Sequence, residues 1–208
     1  MKMIRWGMFF IGLAVFSLGI STTINVNHLG LHPWDVLSIA FFDKFGLSIG
    51  SWNIIIGVCL ITVSFILDRS YVRIGTFLNA MIIGSLIDFY LWLDFLPKAS
   101  YTWTDSVIMM IGIVIMGVGG GVYNAAGVGS GPRDGFMLSI SDKTGMSVQK
   151  VRIITELIIL VFAWLIGGVI FVFTFLFTFI QSPIFQFVYM RMHHKLLDME
   201  MLQERKVS

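Results

Sequence analysis

The sequence has little charge and a single cysteine, and both scarcities limit what the protein can be. Charged residues make up 12% of the 208 residues, whereas soluble proteins carry about a quarter. Hydrophobic residues make up 57%, and runs such as 54–67 and 107–118 contain no charge. Because crossing a bilayer core takes roughly 20 apolar residues, the composition predicts an all-α, polytopic membrane protein. Cys59 has no second cysteine, which excludes an intrachain disulfide and a cysteine-built metal site.

Six apolar segments are long enough to be transmembrane helices: residues 4–24, 50–67, 73–93, 105–124, 149–167 and 169–190. Two shorter segments remain, residues 33–45 and 132–144. Helices of that length rise only about 20 Å, less than the roughly 30 Å of the bilayer core. We expect each to be a broken or re-entrant half-helix that is buried in protein or faces water. The alternative is an amphipathic helix on the membrane surface.

The chain contains two versions of one unit. Residues 25–48 and 124–147 match without a gap at eight positions, the last of which is the pair Ser48 and Ser147. The predicted units are residues 1–98 and 99–190, each with three spans and one short helix, followed by a cytoplasmic tail of residues 191–208. Because three crossings is an odd number, the second unit should enter the membrane with inverted topology.

The distribution of basic residues tests this topology. If the N-terminus is cytoplasmic, twelve of the fourteen Lys and Arg residues lie on the cytoplasmic side, and only Lys44 and Lys98 lie outside. Such an excess of basic residues is typical of cytoplasmic loops. The sequence therefore predicts a cell-membrane protein with cytoplasmic N- and C-termini.

A Pro-x-Asp turn begins both short segments. Pro33 and Pro132 suit the first helical position, where the missing N–H is not needed. Asp35 and Asp134 follow in the first turn, where a carboxylate complements the positive helix end. The turns are therefore predicted to start two half-helices.

The residues beside these turns make them candidate substrate-binding sites. Gly129 and Gly131 would leave backbone N–H groups open to an anion at the helix end. Arg133 adds positive charge there, and Trp34 occupies the equivalent position in the first unit. The alternative is that the turns only cap the helices, while the glycines permit close helix packing.

Four further polar residues are candidates. Asn25 and Asn124 end equivalent helices, where they could bond freed carbonyls or a substrate. Asp88 and Glu156 are carboxylates within predicted spans and could couple transport to a proton or ion. For Asp88 the alternative is a position at the membrane interface, and for Glu156 it is an ion pair with Arg152, four residues earlier.

Metal-binding and catalytic patterns are scarce. His28 and His32 have i, i+4 spacing, but the sequence supplies no evident third ligand nearby, so no metal site is predicted. Motifs such as H-E-x-x-H and G-x-S-x-G do not occur. We therefore expect no enzyme activity, no cofactor and no nucleic-acid partner.

The paired turns resemble those of a known family. The stretches Gly-Leu-His-Pro33-Trp34-Asp35 and Gly-Val-Gly-Ser-Gly-Pro132-Arg133-Asp134-Gly, in a six-span chain of this length, resemble the YczE/YyaS/YitT group of bacterial integral membrane proteins. The resemblance is closest to the YczE branch and covers most of the chain. It implies a multi-pass protein of the bacterial cytoplasmic membrane and names no substrate.

These observations favour a secondary transporter for a small anionic or zwitterionic metabolite. Inverted repeats with interrupted helices recur in such carriers, where one repeat rocks against the other. The alternative is a ligand-binding or accessory subunit of a multi-component importer. The expected partners are the lipid bilayer, a small-molecule substrate, and either further copies of the chain or importer subunits.

Overall fold

The computed structural model describes residues 2–146 and 148–207, which form eight α-helices and no β-strand. The helices are α1 (Lys2–Ile24), α2 (Pro33–Phe45), α3 (Ile49–Leu67), α4 (Ile74–Leu93), α5 (Trp103–Ala125), α6 (Pro132–Thr144), α7 (Val148–Ile166) and α8 (Val172–Val207). The predicted all-α fold is confirmed. Ser147, the last residue of the repeated stretch, lies outside the described residues.

Of the described helices, five are long and apolar enough to cross a membrane: α1, α3, α4, α5 and the Val172–Leu202 part of α8. The chain is therefore a multi-pass membrane protein. The segment predicted as the fifth span forms α7, a helix of 19 residues. Its first half contains Lys150, Arg152 and Glu156, which lower its apolar character.

The two short helices have the predicted bounds and the expected terminal residues. Proline occupies the start of both α2 and α6, and neither start has a side-chain cap. Gly46 and Gly145 end them with φ of 74° and 68°, which glycine adopts without steric cost. The first two turns of α2 and one face of α6 are buried. Each helix is thus buried in part, while its last turn is exposed.

Glycines allow α1 and α5 to pack closely and antiparallel. Gly12 lies against Tyr123 near one end of the pair, and Gly19 lies against Met116 further along. Gly119 lies against the backbone of Phe16, where a Cβ atom would overlap it. These contacts form the glycine seam, which holds α1 against α5.

Contacts between the two halves are reciprocal. Helix α2 packs on α7, and α6 packs on α3. Gly30 lies against the backbone nitrogen of Thr174, and its repeat partner Gly129 lies against the backbone nitrogen of Thr76. The N–H of Leu31 also donates to Oγ1 of Thr174 at 3.3 Å. In each half, the turn before the short helix thus packs against a helix of the other half.

The last helix continues through the predicted boundary at residue 190. Helix α8 runs unbroken from Val172 to Val207, with Pro183 inside it. Near its end, Oε1 of Glu200 accepts from Nη2 of Arg5 at 2.8 Å, and Leu196 is buried. Arg5 also donates from Nη1 to the carbonyl of Ala126 at 2.9 Å. The start of α1, the end of α5 and the last third of α8 therefore meet at one end of the molecule.

Candidate functional site

A cavity of about 100 Å³ lies at the centre of the helices. All eight helices contribute to its lining, from Phe16 of α1 to Phe185 of α8. Pockets for drug-sized ligands measure roughly 300–1,000 Å³. This cavity therefore suits a small solute.

The starts of the two half-helices meet beside this cavity. Arg133, at the second position of α6, donates from Nη2 to Oδ1 of Asp35 in the first turn of α2, at 3.1 Å. Its guanidinium carbon lies 5.5 Å from the ring centroid of Trp34. Asp35 is only 1% exposed, so this ion pair is largely shielded from water. The two sequence-equivalent residues, Trp34 and Arg133, are thus in contact.

Two more polar contacts involve residues from α7. Nη2 of Arg152 lies 3.1 Å from Oδ1 of Asp134, and Nε2 of His32 lies 3.8 Å from Oε1 of Glu156. All four side chains belong to residues that line the cavity. Both lining arginines therefore have a carboxylate partner, and the site is not a simple positive pocket.

Several buried N–H donors around the cavity have no partner. Within the described part of the chain, Nε1 of Trp34 and the side-chain nitrogens of Asn53 and Asn79 form no hydrogen bond. Trp34 and Asn79 are each 1% exposed, and Asn53 is 8% exposed. All three residues line the cavity. Because an unsatisfied buried donor costs roughly 1–3 kcal/mol, a solute with acceptor atoms would stabilise this site.

Four of the predicted binding residues line this cavity, namely Trp34, Gly131, Arg133 and Asp134. Asp35 adjoins it through its bond to Arg133. Glu156, predicted as a coupling residue, also lies in the lining. The structure therefore brings the two Pro-x-Asp turns together at one site.

Three other predicted binding residues lie elsewhere. Gly129 packs against Gly75 and lies outside the cavity lining. The side-chain nitrogen of Asn124 donates to the carbonyl of Gly120 at 3.0 Å, so it bonds its own helix. Asn25 follows the end of α1, where its backbone N–H donates to the carbonyl of Ser21. The position of Gly129 agrees with the alternative in which the glycines permit close helix packing. The position of Asn124 agrees with the alternative in which its side chain bonds a carbonyl at the end of its own helix.

Asp88 also lies outside the lining and binds the start of α3. Its carboxylate accepts from the N–H of Gly50 at 2.8 Å and from the hydroxyl of Ser48. Ser48 is the N-cap residue of α3, and its oxygen accepts from the N–H of Ser51. Asp88 therefore completes the cap of the neighbouring helix.

Asp88→Ala is expected to lower the free energy of unfolding by about 1–2 kcal/mol, the usual cost of losing a helix cap. Ligand binding should remain unchanged, because the residue lies outside the cavity lining. Denaturant unfolding in detergent measures the first effect. Asp43→Ala, at an exposed position of α2, is the matched control and should change stability by less than about 0.5 kcal/mol. Equal stability of the two variants would contradict the capping role.

The cavity lining also contains residues that were not among the sequence-based candidates, namely Asn53, Asn79 and Tyr123. Asn53 and Asn79 lie on apolar spans, and a lone asparagine there has no motif to identify its role. The sequence analysis considered His32 only as a possible metal ligand together with His28. The two histidines contact different carboxylates: Nε2 of His28 lies 3.2 Å from Oδ2 of Asp105 at the start of α5, and Nε2 of His32 lies 3.8 Å from Oε1 of Glu156.

Comparisons with known proteins agree with the expected resemblance. The model of the family described as "Family of unknown function (DUF6198)" matches residues 3–190. The uncharacterized membrane protein YczE of Bacillus subtilis is 43% identical over 166 residues, covering 79% of this chain and 76% of its own length. The uncharacterized protein YyaS of the same organism is 32% identical, covering 81% and 82%. An uncharacterized Haemophilus influenzae protein is 28% identical, covering 84% and 78%. No solved structure matches the chain.

Proposed function

The chain belongs to the DUF6198 family and is similar to the membrane protein YczE, and from this premise we propose that it is a secondary carrier for a small anionic or zwitterionic metabolite. The observation that carries the proposal is the central cavity, where two half-helix starts meet and buried N–H donors lack partners. Acceptor atoms of the solute would pair with these N–H donors. Trp34, Arg133, Asp134 and Gly131 would form its binding site, with Asp35 holding Arg133 in place.

The carrier is proposed to consist of two inverted repeats with six membrane spans. The antiparallel packing of α1 on α5 supports inversion, because these helices hold equivalent places in the two repeats. The reciprocal contacts of Gly30 and Gly129 support it independently. Arg152 and Glu156 of α7 line the cavity, so these charges need not face lipid if α7 is the remaining span.

The same topology would place both termini in the cytoplasm of a bacterial cell. The ion pair of Arg5 with Glu200 joins the start of α1 to the last part of α8, which supports the placement of both termini on one side of the membrane. Of the fourteen basic residues, only Lys44 and Lys98 would then lie outside. Movement of one repeat against the other would open the cavity to each side in turn.

The test is a thermal-shift screen of the detergent-purified protein against small metabolites, followed by uptake into liposomes that contain this protein alone. A ligand at 100 times its Kd should stabilise the fold by about 2.7 kcal/mol. The shift should disappear in the double variant Asp35→Asn/Arg133→Gln, while Asp88→Ala should retain it. Retention of the shift by the double variant would contradict the site.

Liposome uptake then separates the carrier from the importer-subunit alternative. A carrier should accumulate the stabilising compound without another protein, and the double variant should not. Binding without uptake would contradict the carrier and favour a capture subunit of a larger importer.

A further inference from the structure

Resting on the proposed function, we propose that Asp35 takes up one proton for each anionic group of a solute that binds Arg133, so that the carrier moves the solute together with a proton. The positions of Asp88 and Glu156 within predicted spans suggested those two residues for such coupling. The contacts of Arg133 favour Asp35 instead, because Asp35 would lose its counter-charge when a solute binds.

Arg133 lies between the cavity and Asp35. It lines the cavity, and its Nη2 donates to Oδ1 of Asp35 at 3.1 Å. The side chain of Arg133 is 21% exposed, whereas that of Asp35 is 1% exposed. A solute in the cavity therefore reaches the guanidinium but not the buried carboxylate. Because one guanidinium neutralises only one negative charge, the anionic group of the solute competes with Asp35 for Arg133.

In the described part of the chain, Asp35 depends on Arg133 for its counter-charge. Its second oxygen, Oδ2, is buried and forms no hydrogen bond with any described residue. A buried carboxylate that loses its counter-charge is too costly to remain ionised and takes up a proton instead. The carboxyl group that results keeps an acceptor oxygen and gains an O–H donor. Anion binding at Arg133 is thus linked to protonation of Asp35.

This exchange balances in charge and in protons. Before the solute enters, the guanidinium of Arg133 neutralises the carboxylate of Asp35. When the anionic group takes over the guanidinium, one proton from water binds Asp35, and the total charge of the site is unchanged. Release of the solute reverses both steps. A monovalent anion therefore crosses the membrane with one proton, and a pH gradient drives its uptake.

Other charged or titratable groups face the same cavity. Asp134 and Arg152 pair with each other at 3.1 Å. The lining also contains His32, Tyr123 and Glu156. Helix α3, which packs against α2, contains no Asp, Glu, Lys, Arg or His. All these groups remain when Asp35 alone is exchanged, so its proton is separable from theirs.

The first experiment measures binding by the full-length protein in chloride-free detergent solution. The probes are methanesulfonate, propanesulfonate and benzenesulfonate, anions of increasing size that stay ionised at the pH values used. For at least one of them we expect Kd to rise by up to about tenfold per pH unit between about pH 5 and 8, since one proton binds with each anion. Equal affinity at all pH values would overturn the proton assignment and leave the carrier proposal standing.

Asp35→Asn keeps an acceptor oxygen for Arg133 but cannot take up the proton. At about pH 8 this variant should bind the same sulfonate at least about tenfold more tightly than the unchanged protein does, with a Kd that no longer depends on pH. A pH dependence that persists in the variant would assign the proton to another group and overturn the proposal. If no sulfonate binds even this variant, in which Asp35 no longer competes, the competition for Arg133 is refuted.

A second experiment needs no ligand and compares Arg133→Gln with Asp35→Asn/Arg133→Gln. Asp35 without its guanidinium should take up a proton at a higher pH in the folded protein than in the unfolded chain. The stability difference between the variants should therefore be largest at about pH 8 and shrink toward acid by up to about tenfold in the folding equilibrium constant per pH unit. A constant difference would overturn proton uptake by Asp35. Neither experiment involves transport, so failure of the carrier in liposomes is distinguishable from failure of this proposal.

Discussion

Arg133→Gln is expected to destabilise the protein by about 3–5 kcal/mol, the usual cost of breaking a buried ion pair from one side. The physical reason is Asp35, which is 1% exposed and whose second oxygen has no partner among the described residues. Without the guanidinium at 3.1 Å, its charge would be buried and unpaired. Denaturant unfolding in detergent micelles measures the loss.

The matched control adds Asp35→Asn to the Arg133→Gln variant. The double variant Asp35→Asn/Arg133→Gln removes both charges and should recover most of the lost stability, since a neutral pair at this position costs far less than one buried charge. The double variant should still bind no ligand, because the guanidinium at the cavity is gone. Recovered stability with retained binding would show that Arg133 serves the fold alone. A single Arg133→Gln variant as stable as the unchanged protein would contradict the ion pair.

Gly119→Val is expected to be the most disruptive glycine substitution in the glycine seam, with a loss of at least about 3 kcal/mol. A Cβ atom at this position would overlap the backbone nitrogen and Cα of Phe16 in α1. Because the obstacle is backbone, no side-chain rotation relieves the overlap, and α1 and α5 would have to separate. Thermal unfolding of the purified variant measures the effect.

Gly7→Val is the control for this prediction. Gly7 lies on α1 as well, but a Cβ there would meet no atom within 4 Å. The same substitution should change stability by less than about 1 kcal/mol, the range of helix propensities. Similar melting temperatures for the two variants would contradict close packing of α1 on α5.

The sequence predicted the helices well because their determinants are local. The prolines at 33 and 132 and the glycines at 46 and 145 mark both ends of the short helices, and those bounds agree with the structure. The sequence divided the last span from the tail at residue 190, whereas α8 runs through that boundary without a break. The Arg5–Glu200 pair and buried Leu196, which dock that end, depend on a tertiary contact that no local pattern reveals.

The candidate site was predicted only in part, because some of its contacts depend on tertiary packing. The repeated Pro-x-Asp turn identified four residues of the site, namely Trp34, Asp35, Arg133 and Asp134. Asn53 and Asn79 reach the cavity only through the packing of α3 and α4, which a single sequence does not specify. The pairing of Arg133 with Asp35 was not predicted either, since these two residues are 98 positions apart in the sequence.

Alternating access is the central claim, and labelling of a cavity cysteine tests it without knowledge of the substrate. The chain allows this, because Cys59 is exposed and can be replaced by serine. Ser182→Cys then places one thiol in the cavity lining, while Ser70→Cys and Lys98→Cys place single thiols at exposed positions between helices. A membrane-impermeant thiol reagent is added to right-side-out or to inverted membrane vesicles.

The controls should report opposite faces, with Lys98→Cys labelled only in right-side-out vesicles and Ser70→Cys only in inverted ones. An alternating carrier predicts that Ser182→Cys is labelled in both preparations, because the cavity opens to each side in turn. Labelling of Ser182→Cys from one side only would contradict alternating access.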